Sequence, residues 1–190
     1  MLALQGAFAL HQRMLGILGV ETIQVRTPAE LERADGLVMP GGESSTMSMM
    51  LDRSGLLEPL RARLEVGMAT FGTCAGAILL GREILDGRAD QQPLGAIDVA
   101  VRRNGYGRQV DSFEEDLDVA GIDGEPVVGV FIRAPVIERV GDAVEVLASV
   151  EGADGTARPV LCRERTIMIS TFHPELSGDP RLHATFLESI

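Results

Sequence analysis

Short apolar runs alternate with longer amphipathic ones along the first half of the chain. Met1–Leu4 predicts a strand that Gly6 ends, and Phe8 to Leu18 repeats apolar residues at helical spacing. Val20–Val25 predicts a second strand. In Thr27-Pro28-Ala29-Glu30, Thr27 is a predicted N-cap, Pro28 suits the first turn and Glu30 completes a capping box. Gly36–Met39 predicts a third strand, closed by Pro40-Gly41-Gly42. Met47 to Leu64 reads as helical with a break near Ser54-Gly55, Met68–Phe71 as a strand, and Ala75–Leu80 as the start of a helix. This alternation implies a mostly parallel sheet with helices on both faces.

The second half changes character. From Leu94 to Val101 apolar and polar residues alternate, as in a half-exposed strand. Val127–Ile132, Val144–Val150, Pro159–Cys162 and Thr166–Phe172 are further predicted strands. The turns Asp123-Gly124 and Gly152-Ala-Asp-Gly155 suit antiparallel hairpins. Arg181 to Ile190 predicts a last helix. The layout is a doubly wound α/β core with an antiparallel, β-rich second half, and no linker or repeat divides it, so one domain is expected over residues 1–190.

Charge narrows the partners. Lys+Arg is 17 and Asp+Glu is 28, a net charge of −11. Such a chain repels phosphate backbones and anionic membrane surfaces, so neither nucleic acid nor membrane is expected as a partner. The uncharged stretch Gly67 to Gly81, even with Val66 ahead of it, falls short of the roughly 18–20 apolar residues a spanning helix needs. The first residues lack a cationic region and read as a strand entering a helix, not a signal peptide. The two cysteines, Cys74 and Cys162, lie far apart, so a reduced, cytoplasmic setting without a disulfide is expected.

Gly72-Thr73-Cys74-Ala75-Gly76 carries the strongest chemical signal. It follows a predicted strand and precedes a predicted helix, the setting of a nucleophile elbow. The flanking glycines let neighbouring backbone approach the tight turn. The Ala75 N–H then faces any oxyanion formed at Cys74. The competing reading is a core cysteine beside glycines. Cys162, in mid-strand, reads as packing.

A cysteine nucleophile needs a histidine base and a group to orient it. His11 sits in a helical pattern with charged neighbours and reads as a surface residue, and His183 in the last helix reads as structural. His173 stands in Thr171-Phe172-His173-Pro174-Glu175, directly after a predicted strand. Pro174 holds His173 extended, and Glu175 can turn back to the imidazole. Both Cys74 and His173 would open on the carboxyl edge of one sheet, where open α/β folds place ligands. Pro40-Gly41-Gly42-Glu43-Ser44-Ser45-Thr46 lacks the lysine of a phosphate loop. Gly42 suits a second oxyanion donor, with Ser44 or Ser45 as helix cap. Met47, Met49 and Met50 read as core or interface packing.

With these residues the chain resembles the class I, triad-type glutamine amidotransferases. Leu2-Ala-Leu-Gln-Gly6, Gly41-Gly-Glu-Ser-Ser-Thr46, Arg103 to Glu114 and Phe131-Ile-Arg-Ala-Pro135 make it similar, within that class, to the glutaminase subunits of two-component pyridoxal 5′-phosphate synthases. The resemblance implies a flavodoxin-like α/β fold: a mostly parallel sheet flanked by helices, with a small antiparallel extension. It implies hydrolysis of L-glutamine, with Cys74 as nucleophile, His173 as base and acid, and Glu175 as orienter. Gly42 and Ala75 would supply oxyanion N–H groups. Gly42, Glu43, Ser44, Arg103, Ile132 and Arg133 fall on the family's glutamine-binding positions. No metal or cofactor is implied. The ammonia would pass to a (β/α)8-barrel synthase subunit in a hetero-oligomer, with activity rising when docking reorganises the Gly41–Glu43 loop. An α-carboxylate suits a guanidinium fork, and the choice between Arg103 and Arg133 stays open. The family usually carries a few more residues ahead of Gln5, so a shortened first strand is expected. Three alternatives compete: a glutaminase serving another synthase, a PfpI/DJ-1-like cysteine hydrolase or stress protein, and a subunit without chemistry. His173-Pro-Glu175 argues against the second, and the intact Cys74, His173 and Glu175 against the third.

Overall fold

What lies on the two faces of each strand explains the order of elements. The computed structural model describes residues 1–103, 112–152 and 155–190. Most of the Arg103–Glu114 stretch, and the middle of the predicted turn at 152–155, lie outside the described residues. The chain runs through α1 (Phe8–Ile17), α2 (Pro28–Glu32), β1 (Gly36–Met39), α3 (Ser44–Arg53), α4 (Leu57–Glu65), β2 (Ala69–Thr73) and α5 (Ala75–Leu80). It continues through β3 (Gly81–Ile84), β4 (Ile97–Arg102), β5 (Phe113–Leu117), β6 (Val127–Phe131), β7 (Val136–Val140), β8 (Glu145–Glu151), β9 (Ala157–Glu164) and β10 (Ile167–Ser170). Two short helices, α6 (Pro174–Ser177) and α7 (Arg181–Leu187), close it.

The central sheet has the order β1-β2-β10-β9-β8. β1, β2 and β10 are parallel, and β9 and β8 add antiparallel. The parallel strands are buried on both faces, which is why they read as continuous apolar runs. On one face Leu37, Met39 and Ile169 pack with Met47, Leu51 and Leu60 of α3 and α4, with α5, and with Val99 and Val101 of β4. On the other, Val38, Phe71 and Met168 meet Leu15 of α1, Phe131, Phe172, Leu182 and Phe186. Each large apolar side chain so buried contributes about 1.5–3 kcal/mol. A β3-β4-β7 sheet and a β5-β6 hairpin flank the core. Among the described residues no helix is long and apolar enough to cross a membrane.

Several expectations need adjusting. Met1–Leu4 and Val20–Val25 form one parallel bridge, Leu2 to Val25, rather than two full strands. Leu2 N–H donates to Val38 and Ala3 N–H to Val25, so this segment pairs on both sides over very few residues. The helix predicted from Met47 starts at Ser44, because Glu43, not Ser44 or Ser45, caps it: its carboxylate accepts from the N–H groups of Ser45 and Thr46. The helix begun at Ala75 ends at Leu80. The 94–96 segment supplies N–H groups to the carbonyls of Leu79 and Leu80, and the chain leaves as β3. β5, with three exposed acidic residues in Phe-Glu-Glu-Asp-Leu, and β7, with Glu138-Arg139 in the middle, have too little alternation to be read from sequence. At α2 the predicted capping box of Thr27 and Glu30 is present.

Candidate active site

β2 and β10 are neighbours in parallel register, Thr73 opposite Ser170, so both chains leave the sheet at the same edge. Directly beyond β2, Cys74 takes φ 47° and ψ −100°. A side-chain-bearing residue seldom adopts such a conformation, and it survives where the surroundings enforce it. Here they do. The Cys74 N–H donates to the Ser170 carbonyl at 2.8 Å. A Cβ on Gly72 would lie 2.8 Å from the Gly76 carbonyl carbon, and one on Gly76 would overlap the Met39 carbonyl oxygen. Small residues at both places are therefore a steric requirement of the turn.

Beyond β10, the His173 N–H donates to Val130 of β6 at 2.8 Å, and Pro174 opens α6. That single turn carries Glu175 back onto the ring: His173 Nδ1 lies 2.8 Å from Glu175 Oε1. The Glu175 side chain is fully buried and His173 is 12% exposed. Burial pushes the His173 pKa down, but hydrogen bonds to Cys74 and to Glu175 outweigh it and carry the imidazole up to about 10. Burial likewise works against the Glu175 carboxylate, yet the bond from His173 holds it below its ordinary value. With Nδ1 occupied by the carboxylate, the other ring nitrogen serves the sulfur.

The Gly41–Gly42 loop presses against this corner. A Cβ at Gly41 would lie 2.9 Å from His173 Nδ1 and 3.3 Å from Cys74 Cβ. Gly42, at φ 156°, packs on Gln5, where a Cβ would lie 2.6 Å from Oε1. The same Gln5 oxygen accepts from the Glu43 N–H at 3.0 Å. Glu43 is held near pKa 2: partial burial opposes this, and hydrogen bonds from Thr46 and Ser45 prevail. Its Oε1 lies 2.9 Å from Arg103 Nη2, while Arg103 Nη1 donates to Gln91 Oε1 at 3.1 Å. Arg133 sits in the left-handed region at φ 45°.

This corner opens on one cleft of about 450 Å³, within the range of roughly 300–1,000 Å³ usual for small-molecule sites. Cys74, His173 and Glu175 line it, and so do the six sequence-predicted positions Gly42, Glu43, Ser44, Arg103, Ile132 and Arg133. Ala75 is buried at the first position of α5, where a backbone N–H has no intrahelical acceptor. A second cavity of about 600 Å³, bordered by Met1, Leu15, Val38 and Phe186, contains none of these residues.

Among the described residues, the polar neighbours Gln5, Gln91, Thr73 and His11 were not assigned to the site from sequence. His11 is the clear correction, since it is fully buried rather than on the surface. Its signal was present, because His11, Met14 and Leu15 share one buried helical face. Gln5 and Gln91 have no local pattern that points inward and reach the site by tertiary contact, whereas Thr73 lies beside Cys74 in the elbow at the end of the buried β2.

A parallel-rich sheet with a cysteine elbow and a His-x-Glu strand end on one edge defines the class I glutamine amidotransferases. The chain belongs to the SNO glutamine amidotransferase family, whose family model matches residues 1–190. It is 53% identical over 191 residues to the pyridoxal 5′-phosphate synthase subunit PdxT of Rhodococcus opacus (strain B4), covering 100% of this chain and 95% of the relative. It is 52% identical over 189 residues to the subunit of the same name from Frankia alni, covering 100% and 92%. A solved structure described as a glutamine amidotransferase superposes with TM-score 0.90 at 49% identity, covering 99% of this chain and 96% of that one.

Proposed function

We propose that this chain is a single glutaminase domain that hydrolyses L-glutamine to L-glutamate and ammonia in the cytoplasm, and that it hands the ammonia to a pyridoxal 5′-phosphate synthase partner. The carrying observation is the corner in which a strained Cys74, His173 and a buried Glu175 meet in the cleft. Membership of the family and identity of about half to relatives named as synthase subunits support the reaction and the partner.

The geometry supports the following roles. Cys74 sulfur, as thiolate, attacks the side-chain amide carbon of glutamine, and the carbonyl electrons move onto oxygen. The N–H groups of Ala75 and Gly42 receive that oxyanion. As it collapses, the C–N bond breaks and His173 gives its proton to the departing ammonia, leaving a thioester. Water then adds to the thioester while His173 takes its proton, and glutamate leaves with Cys74 restored. Glu175 keeps the Nδ1–H on its own side of the ring throughout. Glu43, Ser44, Ile132 and the backbone of Gly42 wall the substrate, and Arg103 or Arg133 meets its α-carboxylate.

The partner is a (β/α)8-barrel synthase subunit, and the two assemble as a hetero-oligomer. A glutaminase that feeds another subunit wastes glutamine when idle, so release is low alone and rises when docking rearranges the Gly41–Glu43 loop. The test is ammonia release from L-glutamine by the purified chain, with and without the synthase subunit. Release that rises with the partner and vanishes in Cys74→Ala is the expected result. Equal rates with and without the partner would sink the gating, and release by Cys74→Ala would sink the triad.

A further inference from the structure

Two histidines that the proposed chemistry does not use lie buried behind the triad corner. His11 Nδ1 is 2.9 Å from His183 Nε2, and both residues are fully buried. His11 Nε2 points the other way, 3.2 Å from Thr73 Oγ1 and 3.3 Å from Glu175 Oε2. Glu175 Oε2 is the carboxylate oxygen that His173 leaves free, and it is buried without an aligned hydrogen bond. His183 Nδ1 is likewise buried without a partner.

These contacts favour one placement of the protons. A ring nitrogen that faces a carboxylate must carry its N–H, because two lone pairs repel. His11 is then the Nε2–H tautomer with a bare Nδ1. That nitrogen accepts from a His183 Nε2–H, and the orphan left over is the bare Nδ1 of His183. The reverse placement buries an unpaired N–H and sets lone pairs against the carboxylate, which costs more. Burial keeps both rings neutral, lowering His11 to about 4 and His183 to about 3. The charged groups acting on His11 are Glu175, which favours its cation, and His173 and the Met1 amino group, which oppose it. Glu175 and Asp179 act in the same way on His183, where His11 opposes them.

We propose that His11 is a positioning residue: its Nε2–H holds Glu175 Oε2, so that Oε1 stays on His173, and His183 fixes the His11 tautomer. Thr73, which immediately precedes the nucleophile, shares the same ring nitrogen. One imidazole therefore ties the elbow to the carboxylate. The proposal rests on reading Cys74, His173 and Glu175 as the triad.

The experiment measures ammonia release across pH, with the synthase subunit present, for the wild type, His11→Leu, His11→Gln and Cys74→Ala. His11→Leu should lower kcat by about 10- to 100-fold, the scale that a misplacement of about 1 Å produces, with little change in KM. Its acid limb should move to higher pH, because the Glu175 carboxylate has lost a donor. His11→Gln, whose amide N–H can take the place of Nε2–H, should restore most of kcat and return the limb. An unchanged kcat and acid limb in His11→Leu, or equal loss in both variants, overturns the positioning role. Release by Cys74→Ala overturns the triad reading instead. Should His11→Leu fail to fold, 15N spectra of the wild-type histidine rings decide. Two neutral Nε2–H rings from about pH 5 to about pH 8 are expected, and a protonated or Nδ1–H His11 overturns the proposal.

Discussion

Two parts of the cleft are built by opposite means. The Cys74 corner is made of backbone: a left-handed cysteine, two glycines in van der Waals contact with neighbouring chain, and a main-chain bond to Ser170. The Glu43–Arg103 part is made of side chains: a capping carboxylate and a guanidinium, both partly exposed, and the buried Gln91 amide. Backbone cannot yield without moving whole strands, whereas a side-chain network can lose one member and resettle. The first part should thus tolerate almost no substitution, and the second should be tunable.

Gly76→Ala gives the largest effect. Its Cβ would overlap the Met39 carbonyl, which is backbone of β1 and cannot rotate away. Overpacking of this kind costs about 1–3 kcal/mol. In a chain of this size each kcal/mol shifts Tm by about 2–4 °C, so a drop of roughly 5 °C is expected. Ammonia release should vanish even at temperatures where the variant stays folded, because relief of the clash reshapes the elbow. A variant with wild-type turnover would show that the corner is not rigid.

Arg103→Lys probes the other part. The guanidinium now reaches Glu43 and Gln91 with separate nitrogens, which an ammonium cannot match in geometry. If Arg103 meets the α-carboxylate of glutamine, KM should rise about tenfold, roughly 1.4 kcal/mol of binding, with kcat within about twofold. Steady-state kinetics with the synthase partner decides. A fall in kcat with KM unchanged would place Arg103 in the chemistry rather than in binding, and an unchanged KM would point to Arg133.

The same contrast explains what the sequence disclosed. Gly72–Gly76 and His173-Pro-Glu175 were legible because backbone-built sites need particular residues at fixed local spacing, and the doubly buried β1, β2 and β10 were legible as continuous apolar runs. The Glu43, Ser44, Arg103, Ile132 and Arg133 positions came only from resemblance, since a lone arginine has no pattern. Gln91 reaches the site through tertiary contact, which no local period encodes, and Thr73 belongs to the elbow itself while its bond to His11 spans 62 residues. His11 was misplaced because its charged neighbours outweighed its spacing with Met14 and Leu15. The strands β5 and β7 were missed because acidic and basic residues interrupt their alternation.

Acid should act on the buried histidines next. The pKa of His11 falls to about 4 and that of His183 to about 3, below the ordinary 6.5 of the unfolded chain. Between those values the unfolded chain binds more protons, so folding stability is present above about pH 6.5 and is lost as pH falls toward 4. Lowering the pH from about 7 to about 5 should reduce Tm by roughly 5 °C or more. His183→Leu should flatten that slope by removing one of the two buried bases. An equal slope in the variant would show that carboxylates, not this pair, set the acid limit.

The smallest effect separates the two cysteines. Cys162 sits in mid-strand on β9, opposite Ile169 of β10, within the core. It is fully buried, and burial alone pushes its thiol up to about 12. Cys74 lies two strands away in the same sheet order, beyond the end of β2, against a histidine. Cys162→Ala removes one buried sulfur and should cost on the order of 1 kcal/mol, with ammonia release unchanged. Iodoacetamide on the native protein should accordingly label Cys74 and spare Cys162, as a peptide map would show. Labelling of Cys162 before Cys74 would mean that exposure on opening, and not the strand-end geometry, controls reactivity; the contrast between backbone-built and side-chain-built parts of the cleft would then lose its chemical meaning. The converse result assigns the reactivity to position: one residue type, in one sheet, is inert where the ladder runs on and nucleophilic where it is forced to turn.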